Sequence, residues 1–101
     1  MTRFTLLAAA ACLSLGASVA QAGPINRACL ASDRSGASRA VCGCIQNAAD
    51  KTLTRQDQRL AAKFFREPDK AEEVRMSKSN GNNAFWDRYT KFGAVAESSC
   101  S

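Results

Sequence analysis

Ala37 to Leu53 reads ASRAVCGCIQNAADKTL, and the way this stretch folds limits how the rest of the chain can be arranged. Placed on a helix at 100° per residue, Ala37, Ala40, Val41, Cys44, Ile45, Ala48 and Ala49 share one broad arc, with Cys42 at its edge. Arg39, Gly43, Gln46, Asn47 and Asp50 lie opposite. A polar face this narrow predicts a helix covered from two sides. Its two cysteines stand roughly 200° apart by the same period, so each faces a different neighbour. Cys29 upstream and Cys100 at the far end are the natural partners.

The beginning of the chain sets the compartment. Met1-Thr2-Arg3 is a short positive segment, Phe4 to Leu15 is an apolar run, and Ala20-Gln21-Ala22 forms a small-residue cleavage site before Gly23. Residues 1–22 are therefore expected to be a signal peptide, and 23–101 a single helical domain in the periplasm or secreted. Two rivals fit less well. An uncleaved anchor needs roughly 20 apolar residues, and this run is broken by Gly16. A lipoprotein processed at Cys12 would have Ala9-Ala10-Ala11 before the cysteine in place of the usual leucine-bearing motif.

A domain of this length buries only about 60% of its unfolded surface, which leaves its core marginal. Cys29, Cys42, Cys44 and Cys100 change that balance. An even set in a short exported chain predicts two disulfides, each worth about 2–4 kcal/mol. The formal charge is +5, and Arg3 leaves with the leader. A modestly basic domain favours an anionic partner without naming it.

Along the expected mature chain, Pro24 to Ala31 predicts a short first helix with Ile25, Ala28 and Cys29 on one face. Ser32 to Gly36 predicts a turn that folds it back on the central helix. Thr54 with Asp57 three residues on predicts a capped third helix with Leu60, Ala61, Phe64 and Phe65 as its buried stripe. Pro68 both ends that helix and opens a fourth, running to about Ser77 with Val74 inward. After a loop over 77–82, a cap at Asn82 or Asn83 starts a last helix with Phe85, Tyr89, Phe92, Ala96 and Cys100 on its apolar face. No period-two run of β-branched residues occurs, so the expected fold is all-α, a small disulfide-braced bundle of about five helices.

Five segments carry a resemblance: ACLASD at 28–33, SRAVCGCIQ at 38–46, RQDQRLAAKFFREP at 55–68, VRMS at 74–77 and AFWDRY at 84–89. With them nearly all of residues 23–101 resembles a family of small exported proteins of Gram-negative bacteria, mostly uncharacterised, some catalogued as "arginine transporter". The resemblance implies an accessory or solute-binding part in such a system. Past the leader no apolar stretch is long enough to span a bilayer.

The cross-links follow from the turn. An antiparallel return centred near Arg34 brings Cys29 slightly nearer in level to Cys42 than to Cys44. That favours Cys29 with Cys42 and Cys44 with Cys100 over the swapped pairing, by a margin of only ~3 Å along the axis. A bond between Cys42 and Cys44 would require the helix to unwind. The alternative function for Cys42-Gly43-Cys44 is thiol-disulfide exchange, with Arg39 favouring a thiolate. Against it stand the absence of a C-x-x-C and of a βαβ pattern. Export also disfavours four free thiolates around a metal, and histidine is absent.

Arg55, Arg59, Lys63 and Arg66 recur at i, i+4, i+8 and i+11, a basic stripe on the third helix away from Phe64 and Phe65. It is the candidate docking surface for an anionic lipid, a cell-wall polymer or an acidic protein; export argues against nucleic acid. A solvated amphipathic face gives the same pattern. Phe85, Trp86, Tyr89 and Phe92 are likewise either core or an aromatic cup for a guanidinium. Without histidine, a nucleophile motif or a phosphate loop, general-base and nucleophilic chemistry lack their usual partners. The expectation is a non-catalytic binding or accessory module with no cofactor.

Overall fold

The computed structural model describes residues 23–100; the leader assigned to residues 1–22, and Ser101, lie outside the described residues. Five helices follow one another, α1 (Pro24–Ala31), α2 (Arg39–Thr52), α3 (Arg55–Lys63), α4 (Pro68–Arg75) and α5 (Asn80–Ser99), and no strand occurs among the described residues. The chain is the small all-α, disulfide-braced fold that its periodicities predict. Helix α2 is covered by α1 on one side and α5 on the other, α1 also rests on α3, and α4 packs on α5.

The central helix is shorter at its start than the sequence periodicity suggests. It begins at Arg39, with Ser38 accepting a hydrogen bond from the Val41 amide at 3.1 Å, so Ala37 belongs to the preceding turn. Ala40, placed by the wheel in the buried arc, is exposed in the first turn before the neighbours close over the helix. Gly36 carries the turn at a φ of +87°, where a side chain is strained.

Cys42 bonds Cys29 on α1 and Cys44 bonds Cys100 just past α5, with Cα separations of 5.6 and 5.7 Å. This is the preferred pairing: the ~200° between two residues spaced by two on a helix sends the sulfurs to different neighbours, and the turn after α1 brings Cys29 to the level of Cys42. The Cys29–Cys42 bond is fully inside, at 3% and 0% exposure, whereas Cys44 and Cys100 are half-buried.

The largest departure from the sequence expectation is Gln46. Assigned to the polar face, it is 1% exposed and is among the most completely buried side chains. Its Oε1 accepts from the Asn26 amide at 2.9 Å, and its Nε2 donates to Asp50 Oδ1 and Gln58 Oε1, each at 2.8 Å. Gln58 in turn donates to the same Asp50 oxygen at 3.1 Å. Burial of an amide is tolerable only with its bonds made, and here α1 and α3 supply them. Gly23, which has no side chain to cap α1, is followed by an amide that Gln46 satisfies from α2. A Cβ on Gly23 would run into the Gln46 carboxamide, which its three bonds hold in place.

Helix α3 starts in the predicted capping box: Thr54 Oγ1 accepts from the Asp57 amide at 3.0 Å and Asp57 Oδ2 accepts from the Thr54 amide at 3.1 Å. It stops at Lys63, and residues 64–66 form a turn in which the Arg66 amide reaches the Lys63 carbonyl. Arg66 therefore lies beyond the helix on which the basic stripe was drawn. The last helix also starts earlier than expected. Ser79, not Asn82 or Asn83, is its cap, accepting from the Asn82 amide at 3.1 Å.

Ala61, Phe64, Val74, Phe85 and Phe92 form the apolar core with Ile25, Ala48, Ala49 and Leu53. Leu60 and Phe65, expected in the buried stripe, are only partly covered. Phe64 meets Phe85 and Tyr89 edge-on at 6.0 and 5.3 Å, and Tyr89 also touches Trp86 and Phe92. Such edge-on and offset contacts suit the ring quadrupoles. The four aromatic residues of α5 thus pack on one another and on Phe64.

Candidate basic groove between the first and third helices

The groove arises from what α3 buries. Gln58 and Ala61 face inward, against Gln46 and the core, and Asp57 is tied to α5 by a two-pronged ion pair, Arg88 Nε to Oδ2 at 2.6 Å and Nη2 to Oδ1 at 3.0 Å. The Arg88 hydrogen bonds hold the Asp57 carboxyl below its ordinary value of 3.8, outweighing the upward push of burial, with the two Thr54 bonds adding to the lowering. With one side so anchored, the helix presents Arg59, Ala62 and Lys63 outward beside α1.

On α1, Ile25 and Cys29 are buried, so the opposite arc of Pro24, Arg27, Ala28 and Ala31 is turned toward the same space. The turn after α3 adds Arg66. The result is a groove of about 350 Å³ with small apolar walls and four cationic side chains, Arg27, Arg59, Lys63 and Arg66, and with no carboxylate among the described residues that line it. All four cationic residues are exposed. Unlike Arg88 and Arg75, which pair with Asp57 and Glu72, Arg59, Lys63 and Arg66 form no ion pair among the described residues.

The expected stripe is thereby divided. Arg59, Lys63 and Arg66 line the groove, while Arg55, in the first turn of α3, does not. Arg27 was missed because a lone cation in an eight-residue helix has no periodicity. Its signal was its place opposite Ile25 and Cys29, which becomes informative only once α1 is known to rest on α3.

The cysteines make a different kind of centre. Cys42 and Cys44 are each bonded elsewhere, so C-x-C serves here as a branch point for two cross-links. Tyr89, raised above 10.0 by burial, is held among the other rings. Another, mainly apolar pocket of about 210 Å³ lies over the Cys29 side of the α1–α2 turn, where Arg34 stacks 5.3 Å above the Phe65 ring. Among the described residues, no group of His, Cys, Asp and Glu is placed to hold a metal, and no helix is long and apolar enough to cross a membrane. Comparison of the chain with protein-family models, with curated proteins and with solved structures finds no match, so the chemistry of the groove rests on its own side chains.

Proposed function

We propose that this protein is an exported, non-catalytic binding module that holds an anionic partner in the groove between α1 and α3. The observation that carries this is the grouping of Arg27, Arg59, Lys63 and Arg66 around one concavity with no carboxylate among the described residues that line it. Like charges brought together at a surface repel one another, and an anion relieves that repulsion. Two disulfides suit an oxidising compartment such as the periplasm, in keeping with the leader-like residues 1–22.

The family resemblance suggests a role in solute or arginine uptake, and the groove limits the form such a role takes. A cation-lined groove repels a guanidinium ligand, so the link would run through an accessory contact with an acidic partner. Deca-L-glutamate is a suitable probe. At low ionic strength the triple variant Arg59→Ser, Lys63→Ser, Arg66→Ser should bind it about tenfold or more weakly, three exposed charges at roughly 0.5 kcal/mol each, with an unchanged far-UV circular dichroism spectrum. Equal binding by a folded triple variant would remove the groove from the argument.

A further inference from the structure

Arg59 and Lys63 line not one groove but two. On the other side of α3 a second concavity of about 480 Å³ runs toward α5, and these same two residues form its edge together with Gln56, Leu60, Asn82 and Arg88. The side chains of Arg59 and Lys63 therefore stand on a ridge between the two spaces. The second groove contains one carboxylate, Asp57, whose charge is already matched by the two bonds from Arg88. Taken together, the two grooves keep an excess of positive charge, concentrated on the ridge and on the α1 side.

Building on the anionic reading of the first groove, we propose that the partner is an extended acidic peptide segment, which crosses the α3 ridge and occupies both grooves. Two features favour it over a small anion or a membrane. A small anion would need only one groove, whereas the shared cations can hold neighbouring charges of one chain that passes between them. The apolar residues of the first groove are small and line a hollow, while interfacial membrane binding relies on projecting large apolar side chains. The large exposed ones here, Leu30 and Met76, lie outside both linings.

The test uses the whole exported protein purified from the periplasm, with tri- and deca-L-glutamate as probes and vesicles containing phosphatidylglycerol as a comparison. Gln56→Glu with Asn82→Asp adds negative charge to the second groove alone. Both positions lie in the first turn of their helices, where acidic residues are favourable, so the fold should tolerate them. This double variant should weaken decaglutamate binding roughly two- to tenfold, the range for two exposed charges, and leave triglutamate binding unchanged. Arg66→Ser, confined to the first groove, should weaken both. Loss with Arg66→Ser but not with the double variant would overturn the two-groove inference and leave the anion-binding reading standing. Indifference to both would overturn the two together, and tight vesicle binding with no response to decaglutamate would assign the surface to lipid and also overturn the inference.

Discussion

The two ends of this bundle are held together by different chemistry. Where α1, α2 and α3 meet, the largest fully buried side chains are Ile25, Gln46 and Cys42, an apolar residue, an amide and a half-cystine. Where α3, α4 and α5 meet, the filling is Phe64, Val74, Phe85 and Phe92, with Tyr89 at the centre of the ring contacts. The first junction is directional, since Gln46 and Gln58 hold their partners at fixed angles. The second is filled by apolar and aromatic side chains, whose contacts are less directional and more tolerant of small shifts. The groove lined by Arg27, Arg59, Lys63 and Arg66 sits beside the directional junction. There α1 and α3 are tied through Gln46 to the same helix.

The contrast is broken most severely at the aromatic end. Phe85→Ala should cost about 3–5 kcal/mol, the usual range for emptying a buried phenylalanine site, read as a fall in the urea midpoint. For so small a domain this approaches the total stability. A loss below about 1 kcal/mol would show that the aromatic cluster can collapse around the gap and is less closely packed than its ring contacts indicate.

At the amide end, Gln46→Met keeps the volume and removes the bonds. The Asn26 amide loses its acceptor and Gln58 loses a donor, which should cost about 1–3 kcal/mol. The near-ultraviolet circular dichroism of Trp86 and Tyr89 should stay as it is, because those rings lie at the other end. A stability equal to that of the native protein would mean that the amide network is incidental to the junction.

The smallest effect concerns the seam between the two ends, the Asp57–Arg88 pair. Because its pKa is lowered in the folded state, Asp57 contributes stability that is present above its unfolded value. That stability is lost as pH falls through the ordinary 3.8 and on to the lower folded value. Asp57→Asn should therefore lower stability at neutral pH and flatten the decline in acid. Tyr89 runs the other way: raised by burial, it loses its contribution as pH climbs past 10.0. Urea midpoints across the pH range check both limbs, and an Asp57→Asn protein with an unaltered acid limb would show that the ion pair is not what titrates.

The sequence by itself determined the helices and that Cys42 and Cys44 take different partners, while the choice of Cys29 for Cys42, favoured by only ~3 Å of axial level, was fixed by how the helices pack. Periodicity marks α2, α3 and α5, Pro24 and Pro68 open α1 and α4, and the two-residue spacing of Cys42 and Cys44 places their side chains on different flanks whatever else the chain does. Those are local consequences of helical geometry, readable one segment at a time. Three further things were decided only in the tertiary structure. Gln46 is polar by type and sat on the polar arc of an isolated wheel. Its burial depends on the Asn26 amide and Gln58 arriving from α1 and α3 to satisfy it. The cap of α5 falls at Ser79, although Ser79, Asn80, Asn82 and Asn83 all lie within about one turn and local preference alone does not choose among them. The groove joins Arg27 to Arg59, Lys63 and Arg66 although they lie on separate segments of the chain. Which cations share a concavity depends on how helices pack, a property no single helix contains.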